Sequence, residues 1–312
     1  MIYKHKKKLI SAVLLSIFII IQISISGCSV DIGMDSGESN GGRPNINQPR
    51  DNQLAVHFID VGQGDSILIQ TPAGEYMLID AGPNAQGANV VKYLKELGIN
   101  KIDVLVGTHP HEDHIGGLDD VINNFDIGSM YMPKVAHTTK TYSDVLKAAK
   151  SKGIKIKSAK QGLDIPMEGI QASILSPSEG VNPKDLNGYS AVIRVVYKDT
   201  AFLFQGDAER DAENNILGSG LNIKSDVIKI GHHGSKYATG AKFLSAVNPK
   251  YAVISVGKDN DYGHPHKKTM ELLNKENIPV YRTDQCGSIV AISDGNSISF
   301  DCKPGNYSYG DK

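Results

Sequence analysis

The densest group of metal-binding side chains in this sequence lies at residues 108–114, which read Thr-His-Pro-His-Glu-Asp-His. Its residues of ligand type are His109, His111, Asp113 and His114. Imidazole nitrogen suits zinc and related ions, and carboxylate oxygen adds charge and can bridge two ions. Because the segment directly follows an apolar run at 102–106, we expect it to supply the first ligands of two metal ions at the end of a strand.

Further histidines cluster in the second half of the chain. They form the pairs His232–His233 and His264–His266, and both pairs follow runs that are predicted to be strands. A metal cleft would open at such strand ends, so His232, His233 and His264 are all candidates for a further ligand.

Two β-rich halves must position these residues. Strands are predicted at 54–61, 66–70, 76–80, 102–106, 129–132, 170–176, 191–196, 201–205, 226–230 and 251–256. Helices are predicted at 89–97, 118–125, 142–150, 209–217 and 267–274, with one more between 230 and 251 and a final hairpin. The order predicts an α/β protein, a four-layer α/β/β/α sandwich, with a doubly wound sheet as the alternative.

The composition indicates a folded and mildly acidic chain. It has 312 residues, 40% of them apolar, and beyond residue 27 it carries 29 basic and 34 acidic side chains. These values exclude a disordered chain and disfavour a globally basic nucleic-acid binder. A phosphate-binding groove would have to be local, unless the lysines of the second half are only a solvated surface: Lys224, Lys229, Lys236, Lys242, Lys258, Lys267 and Lys268.

Residues 1–27 have the pattern of a secretory signal, with a basic start followed by an apolar run. The run ends in Ile25-Ser26-Gly27-Cys28, which resembles the bacterial lipoprotein cleavage box. We therefore predict acylation of Cys28 and an extracytoplasmic protein that its lipid anchor holds at the cell membrane. A transmembrane signal anchor and simple secretion are the alternatives.

Residues 28–52 are rich in Gly, Ser, Asn and Pro and predict a flexible tether, which leaves 53–312 as the folded domain. Cys286 and Cys302 remain in that domain and flank the predicted final hairpin. In an oxidising compartment they form either a disulfide or two thiols.

The motif His-x-His-x-Asp-His after a strand, preceded by Leu78-Ile79-Asp80-Ala81-Gly82, resembles the metallo-β-lactamase superfamily. The fold of that superfamily is the αββα sandwich. Four more stretches, at 58–66, 204–207, 229–235 and 262–266, resemble the soluble hydrolase domain of ComEC-type competence proteins. The resemblance covers roughly residues 54–300, the whole folded part.

The resemblance implies two divalent metal ions, zinc or manganese. The implied ligands are His109 and His111 for one ion, Asp113 and His114 for the other, and Asp207 as the bridge. Asp207 also precedes a predicted helix that it is placed to cap. Asp80 would orient the motif by hydrogen bonds to ligand histidines, or would only cap the turn before Gly82.

The remaining site residues are less sharply assigned. For the last metal ligand we favour His233, with His264 as a substrate-binding or acid group and His232 as a hydrogen-bonding neighbour. Ser235 is assigned either to the layer of residues behind the metal ligands or to the surroundings of the substrate. Asp65 lies in a glycine-rich turn that the resemblance places near the cleft, and it is a weaker candidate for contact with metal or water.

The sequence departs from the superfamily at one ligand. Typical members carry another histidine before the bridging aspartate, whereas this chain has none between Glu168 and Asp207. Asn187 stands at about that place, so its oxygen, water or substrate would have to fill the position. Because an oxygen-richer site shifts preference toward Mn²⁺ relative to Zn²⁺, we predict activity with manganese.

A dinuclear site of this kind suits the hydrolysis of phosphodiesters. Asp113 would orient the nucleophile and His264 or His233 would protonate the leaving group. The resemblance implies a nuclease or phosphodiesterase that acts on DNA or nucleotides and is linked to DNA uptake, and we expect a monomer. Since no apolar run near 18 residues follows residue 27, we expect no DNA channel. A β-lactamase-like amide or ester hydrolase and a non-catalytic surface binding protein are the alternatives.

Overall fold

Short runs rich in β-branched and aromatic residues become strands throughout residues 52–310, the part of the chain that the computed structural model describes. In chain order they are β1 (Leu54–Phe58), β2 (Ile67–Gln70), β3 (Tyr76–Ile79), β4 (Lys101–Val106), β5 (Asp126–Pro133), β6 (Ile156–Ala159), β7 (Leu163–Ile165), β8 (Gln171–Ser176), β9 (Val192–Tyr197), β10 (Thr200–Phe204), β11 (Val227–Lys229), β12 (Tyr251–Ile254), β13 (Val280–Arg282), β14 (Ile289–Ser293) and β15 (Ile298–Phe300). Residues 52–310 belong to one compact unit, and the boundaries at 27/28 and 52/53 stay predictions.

The strands form two sheets. The first has the order β15-β14-β1-β2-β3-β4-β5-β6, and the second has the order β13-β12-β11-β10-β9-β8-β7. Strands β3 to β6 are parallel in the first sheet, as are β10 to β13 in the second, and the other neighbours pair antiparallel. The predicted α/β/β/α sandwich is confirmed, and the doubly wound alternative is wrong because the strands divide between two sheets.

The helices follow the strands of both halves and cover the outer faces. They are α1 (Gly87–Glu96), α2 (Glu112–Ile115), α3 (Leu118–Asn124), α4 (Lys140–Ser151), α5 (Arg210–Gly218), α6 (Ala241–Val247), α7 (Lys267–Lys275) and α8 (Thr283–Cys286), and 3-10 turns occur at Asn84–Gln86, Asn187–Tyr189 and Gly231–Gly234. Each long helix buries one apolar stripe, as Val90, Val91 and Leu94 of α1 illustrate.

The central core lies between the sheets. Phe58 of the first sheet packs against Phe204 of the second, which stacks on Phe202, and all three have essentially no exposed surface. Two further apolar clusters lie between each sheet and its helices. Because these layers bury both faces of the sheets, the parallel strands are held in fixed register and their ends become a rigid platform.

Three short strands are absent from the sequence-based prediction. β6, β7 and β13 have only three or four residues, and β6 and β7 contain exposed side chains. Too few residues show a period of two in such segments, so pairing with a neighbouring strand, rather than local pattern, defines them. The predicted helix between 230 and 251 is found as α6.

Two further predictions concern the N-terminal segment and the cysteines. The signal, the tether and Cys28 lie outside the described residues, and within residues 52–310 no helix is both long and apolar enough to span a membrane. Cys286 and Cys302 are each partly buried against the central core, and Sγ of Cys286 lies 3.7 Å from the carbonyl oxygen of Lys303; the choice between a disulfide and two thiols stays a prediction.

Candidate metal centre

The predicted ligands meet at one edge of the sandwich. The 108–114 segment follows β4, Asp207 follows β10, and the Gly231–Gly234 turn follows β11. Since β3–β4 and β10–β11 are parallel pairs, their carboxyl ends lie at the same edge of each sheet, where αβ folds hold their sites.

Four side chains form the centre of this site. The Nε2 atom of His114 lies 3.1 Å from Oδ1 of Asp207, and Nε2 of His233 lies 3.2 Å from Oδ2 of Asp113. One potential ligand atom from each of the four falls within 4.8 Å of the others. This spacing fits ligands around a shared cation, since metal–ligand distances near 2 Å place ligands of one ion about 3–4 Å apart.

Asp207 presents its second oxygen to different histidines. Its Oδ2 atom lies 3.9 Å from Nε2 of His109 and 3.4 Å from Nε2 of His232. His109 in turn lies with Nε2 3.0 Å from Nδ1 of His111. The two oxygens of one carboxylate therefore face separate groups of imidazoles, which is the geometry expected of a bridging ligand.

Unsatisfied polar atoms test whether metal fits here. Nε2 of His114, Oδ1 of Asp207 and Oδ1 of Asn187 are buried and make no hydrogen bond of normal geometry, although the first two atoms lie 3.1 Å apart. Buried polar atoms are nearly always paired, so three such atoms at one edge indicate a missing partner. The residues present fit divalent cations, and Asn187 lines the cleft as the sequence predicts.

Asp80 lies behind His114. Its carboxylate accepts hydrogen bonds from the backbone N–H of Thr108 at 2.8 Å and from the Thr108 hydroxyl at 2.6 Å. It also lies 2.8 Å from Nδ1 of His114. Because Asp80 holds Nδ1 in this way, Nε2 of His114 is directed into the site. Asp80 therefore orients a ligand histidine and does more than cap the turn.

The backbone of the His232–His233 turn is left-handed. The φ angles are 48° at His232 and 53° at His233, a region that non-glycine residues rarely occupy. Nδ1 of His233 lies 3.0 Å from the carbonyl oxygen of Ser255, which directs its Nε2 toward Asp113. The Ser235 hydroxyl instead accepts from the N–H of Tyr237, and Ser235 is not a cleft-lining residue, so the structure does not bring it to the substrate.

Asp65 and Lys229 form a buried ion pair next to the ligands. Both are fully buried, and Oδ1 of Asp65 lies 3.4 Å from Nδ1 of His233. Asp65 thus contacts the back of a ligand histidine instead of the cleft. Lys229 is likewise unavailable to bind phosphate, because it is buried and its ammonium group is paired with the Asp65 carboxylate. The signal for this in the sequence is a lysine inside an otherwise apolar strand run.

The turn that carries Asp65 lies directly against the metal-binding motif. The N–H of Asp65 donates to the carbonyl oxygen of Asp113 at 3.1 Å. At Gly64, φ is 149° and a Cβ atom would lie 2.3 Å from that same oxygen. Only glycine permits this close approach, which explains the glycine-rich sequence of the turn.

Charge alternates between imidazoles and carboxylates in the site. Burial alone would lower the pKa of His233, but Asp207 and Asp65 outweigh it and raise the pKa to about 9. Burial also opposes the ionised form of Asp113, yet His114 and His233 hold its pKa well below the ordinary value. The pKa of Asp207 is lowered in the same way. Ionised carboxylates are thereby retained at neutral pH, as cation binding requires.

The open side of the site is a cleft of about 310 Å³. It is lined by Gln63, His111, Glu112, Asp113, Asn187, Asp207, His232, His233, Tyr262 and His264. Burial, and then the charge of His233, lower the pKa of His264 to about 3. Its imidazole is therefore neutral at pH 7, so the predicted donation to a leaving group requires a proton gained beforehand.

Comparison with known proteins agrees with this architecture. The sequence profile described as the Metallo-beta-lactamase superfamily matches residues 59–258. The chain belongs to the metallo-β-lactamase superfamily. The metallo-beta-lactamase fold protein YhfI from Bacillus subtilis superposes with a TM-score of 0.52 at 11% identity, covering 77% of this chain and 100% of that one, and shows the fold alone.

Competence proteins are among the relatives of this superfamily member. It is 35% identical over 251 residues to ComE operon protein 3 of Bacillus subtilis (strain 168), covering 75% of this chain and 32% of that protein. Competence protein ComA of Neisseria gonorrhoeae is 33% identical over 77% of this chain and 32% of its own length. The resemblance to ComEC-type proteins is confirmed, and the chain spans about a third of the length of these relatives.

Proposed function

We propose that this protein is a metal-dependent phosphodiesterase that cleaves DNA or nucleotides. The observation that carries the proposal is the position of Asp207. Its two carboxylate oxygens face separate groups of imidazoles, which provides binding sites for two cations. Two-cation sites are common in enzymes that perform in-line displacement at phosphorus. Two relatives are named ComE operon protein 3 and Competence protein ComA, and a role in competence agrees with a nucleic-acid substrate.

The two proposed cation-binding sites use different residues of the chain. His109, His111 and Asn187 would hold one cation, and Asp113, His114 and His233 would hold the other, with Asp207 between them. Bound there, divalent ions would supply Lewis acidity toward water and the phosphate. Asp113, whose side chain is 32% exposed, would accept a hydrogen bond from the attacking water and orient it.

The activity is tested with purified protein supplied with Mn²⁺ or Zn²⁺. We expect hydrolysis of bis-p-nitrophenyl phosphate and of single-stranded DNA, and a loss of more than about 100-fold in the His111→Ala variant. Hydrolysis of nitrocefin without cleavage of either phosphodiester would contradict the proposal and favour an amide hydrolase. Two bound metals with no hydrolysis at all would favour a binding protein.

Metal preference follows from Asn187, which supplies oxygen where superfamily members carry histidine. We propose that metal-free protein regains activity with Mn²⁺, and that Asn187→His shifts the preference toward Zn²⁺ by about tenfold, since imidazole is the softer ligand. The ratio of activities with the two ions measures this. Recovery with Zn²⁺ alone and never with Mn²⁺ would contradict the prediction.

We also propose that the protein is anchored outside the cytoplasm through acylated Cys28. The support is the sequence of residues 25–28 after the apolar run. In a bacterial host, the Cys28→Ser variant should move from the membrane fraction to the soluble fraction. Unchanged membrane retention of that variant would favour an uncleaved signal anchor.

A further inference from the structure

Tyr262 is a large exposed aromatic side chain on the rim of the metal cleft. Five large apolar side chains are exposed in residues 52–310, and Tyr262, at 63%, has the greatest exposed fraction of them. Of these five, Tyr262 alone lines the cleft, where its neighbours are polar or charged. An exposed aromatic ring beside a site for a phosphodiester is the arrangement used by proteins that stack bases.

One face of this ring is already supported by the protein. The ring of Tyr262 stacks on that of His264, with centroids 5.7 Å apart and an angle of 19° between planes. The large exposed fraction leaves the rest of the ring accessible. A flat ligand group could therefore continue the stack from outside, with His264 beneath Tyr262 as its support.

The loop that carries Tyr262 is held in place by a single asparagine. Oδ1 of Asn260 accepts hydrogen bonds from the N–H groups of Tyr262 and His264, at 3.1 and 3.0 Å. Nδ2 of Asn260 donates to the carbonyl oxygens of Gly257 and His264, at 2.9 and 2.7 Å. Because the loop is ordered before ligand arrives, stacking on Tyr262 costs little additional ordering.

A second cavity, of about 560 Å³, meets the metal cleft at His264. Lys258, Arg282 and the exposed Tyr309 line it together with Asp259 and Asp284, and Arg282 is ion-paired with Asp284. Nζ of Lys267, which is not a lining residue, lies 5.7 Å from the centre of the Tyr309 ring. A cation and an aromatic ring beyond the cleft suit the next nucleotide of a strand. The pair of cavities therefore fits a polynucleotide better than a small phosphodiester.

We propose that Tyr262 stacks on an unpaired nucleobase next to the phosphodiester in the metal cleft, and so makes single-stranded nucleic acid the preferred substrate. This inference rests on the proposed phosphodiesterase activity. A base inside a duplex presents no free face, whereas an unpaired base of any type can stack. Selection would be for strandedness and not for sequence.

The test compares a single-stranded oligonucleotide with one of equal length built from abasic sites, which keeps the phosphates and removes the bases. For the unaltered protein, we expect a KM about tenfold lower on the base-containing strand. Tyr262→Ala should abolish this ratio, and Tyr262→Phe should retain it, because stacking needs the ring and not the hydroxyl. Tyr237→Ala, at an exposed tyrosine outside the cleft, is the matched control and should keep the ratio.

The outcomes separate this inference from the proposed function. If neither strand is cleaved, both the proposed phosphodiesterase activity and the stacking role of Tyr262 are overturned. If both strands are cleaved with equal KM, or if Tyr262→Ala keeps the ratio, the stacking role is overturned while the phosphodiesterase activity stands. A ratio lost in Tyr237→Ala as well would also overturn it, since the effect would then not be specific to the cleft rim.

Discussion

The wall behind the metal centre and the mouth in front of it differ in the burial of their side chains. The wall, which we define as Asp65, Asp80 and Lys229, is a set of charged side chains that are at most 1% exposed. The mouth, defined as His232, Tyr262 and His264, lines the cleft, and its exposed fraction ranges from 63% at Tyr262 to 8% at His264. The two regions therefore differ in residue type as well as in burial.

Burial makes the wall rigid and costly to change. A charge removed from water is tolerated only when it is paired, and Asp65 is paired with Lys229 while Asp80 is paired with Thr108 and His114. Tyr262 carries no such constraint, because water can replace contacts that its exposed ring loses. Substitutions in the wall should therefore affect folding and metal together, and a substitution at Tyr262 should affect substrate alone.

The largest loss of activity is expected at Asp207, the proposed bridging ligand, which lies between the wall and the mouth. Asp207→Asn should lower hydrolysis of bis-p-nitrophenyl phosphate by more than about 100-fold, because removing a ligand exceeds the roughly 10–100-fold loss typical of outer partners. Metal content measured by mass spectrometry should fall with it. Asp164→Asn, at an exposed aspartate of β7, is the control and should retain both. Full metal content in Asp207→Asn would refute its role as a ligand.

The next largest effect tests the buried ion pair. Lys229→Met should lower the free energy of unfolding by about 3–5 kcal/mol, because it leaves the Asp65 carboxylate buried without its partner. Urea denaturation measures this. Lys229→Met combined with Asp65→Asn should recover most of the loss, since neither charge then remains. Lys267→Met, at a lysine whose side chain is 60% exposed, should change stability by no more than about 0.5 kcal/mol.

If the double variant is as unstable as Lys229→Met, the cost comes from lost packing instead of the uncompensated charge. The wall would then differ from the mouth only in burial and not in electrostatics.

A smaller effect is expected at Asp80. Asp80→Asn keeps the shape of the side chain but weakens its hold on Nδ1 of His114, so metal affinity should fall by about 10–100-fold. Competition with a chelator measures the affinity. Unchanged affinity would mean that the imidazole is oriented by packing and that this part of the wall is only structural.

The smallest effect on stability is expected in the mouth. Tyr262→Ala should change the free energy of unfolding by no more than about 0.5 kcal/mol, because most of the ring is already in water. Urea denaturation alongside the Lys229→Met variant makes the comparison direct. A loss near that of the buried pair would place Tyr262 in the wall and remove the distinction between the two regions.

The metal-binding motif and the short strands differ in how far the sequence predicts them. His109, His111, Asp113 and His114 lie on one short segment after one strand, so local spacing suffices to predict a metal site. The αββα order follows from β-rich runs and helices that are long enough to show their own periods. Strands β6, β7 and β13 are too short to show one, and only their partners define them.

The sequence by itself determined the ligand motif, the layer order and the position of Asn187, because each depends on residues close together in the chain or on their order. Only the tertiary structure decided that Lys229 faces Asp65, 164 residues away in sequence, and that Tyr262 stands over His264 at the mouth. The physical reason is that burial and pairing are properties of the whole packed fold. The apolar run around Lys229 signals that this lysine is buried but not which carboxylate it pairs with, and nothing in the sequence near Tyr262 shows that its ring lies over His264.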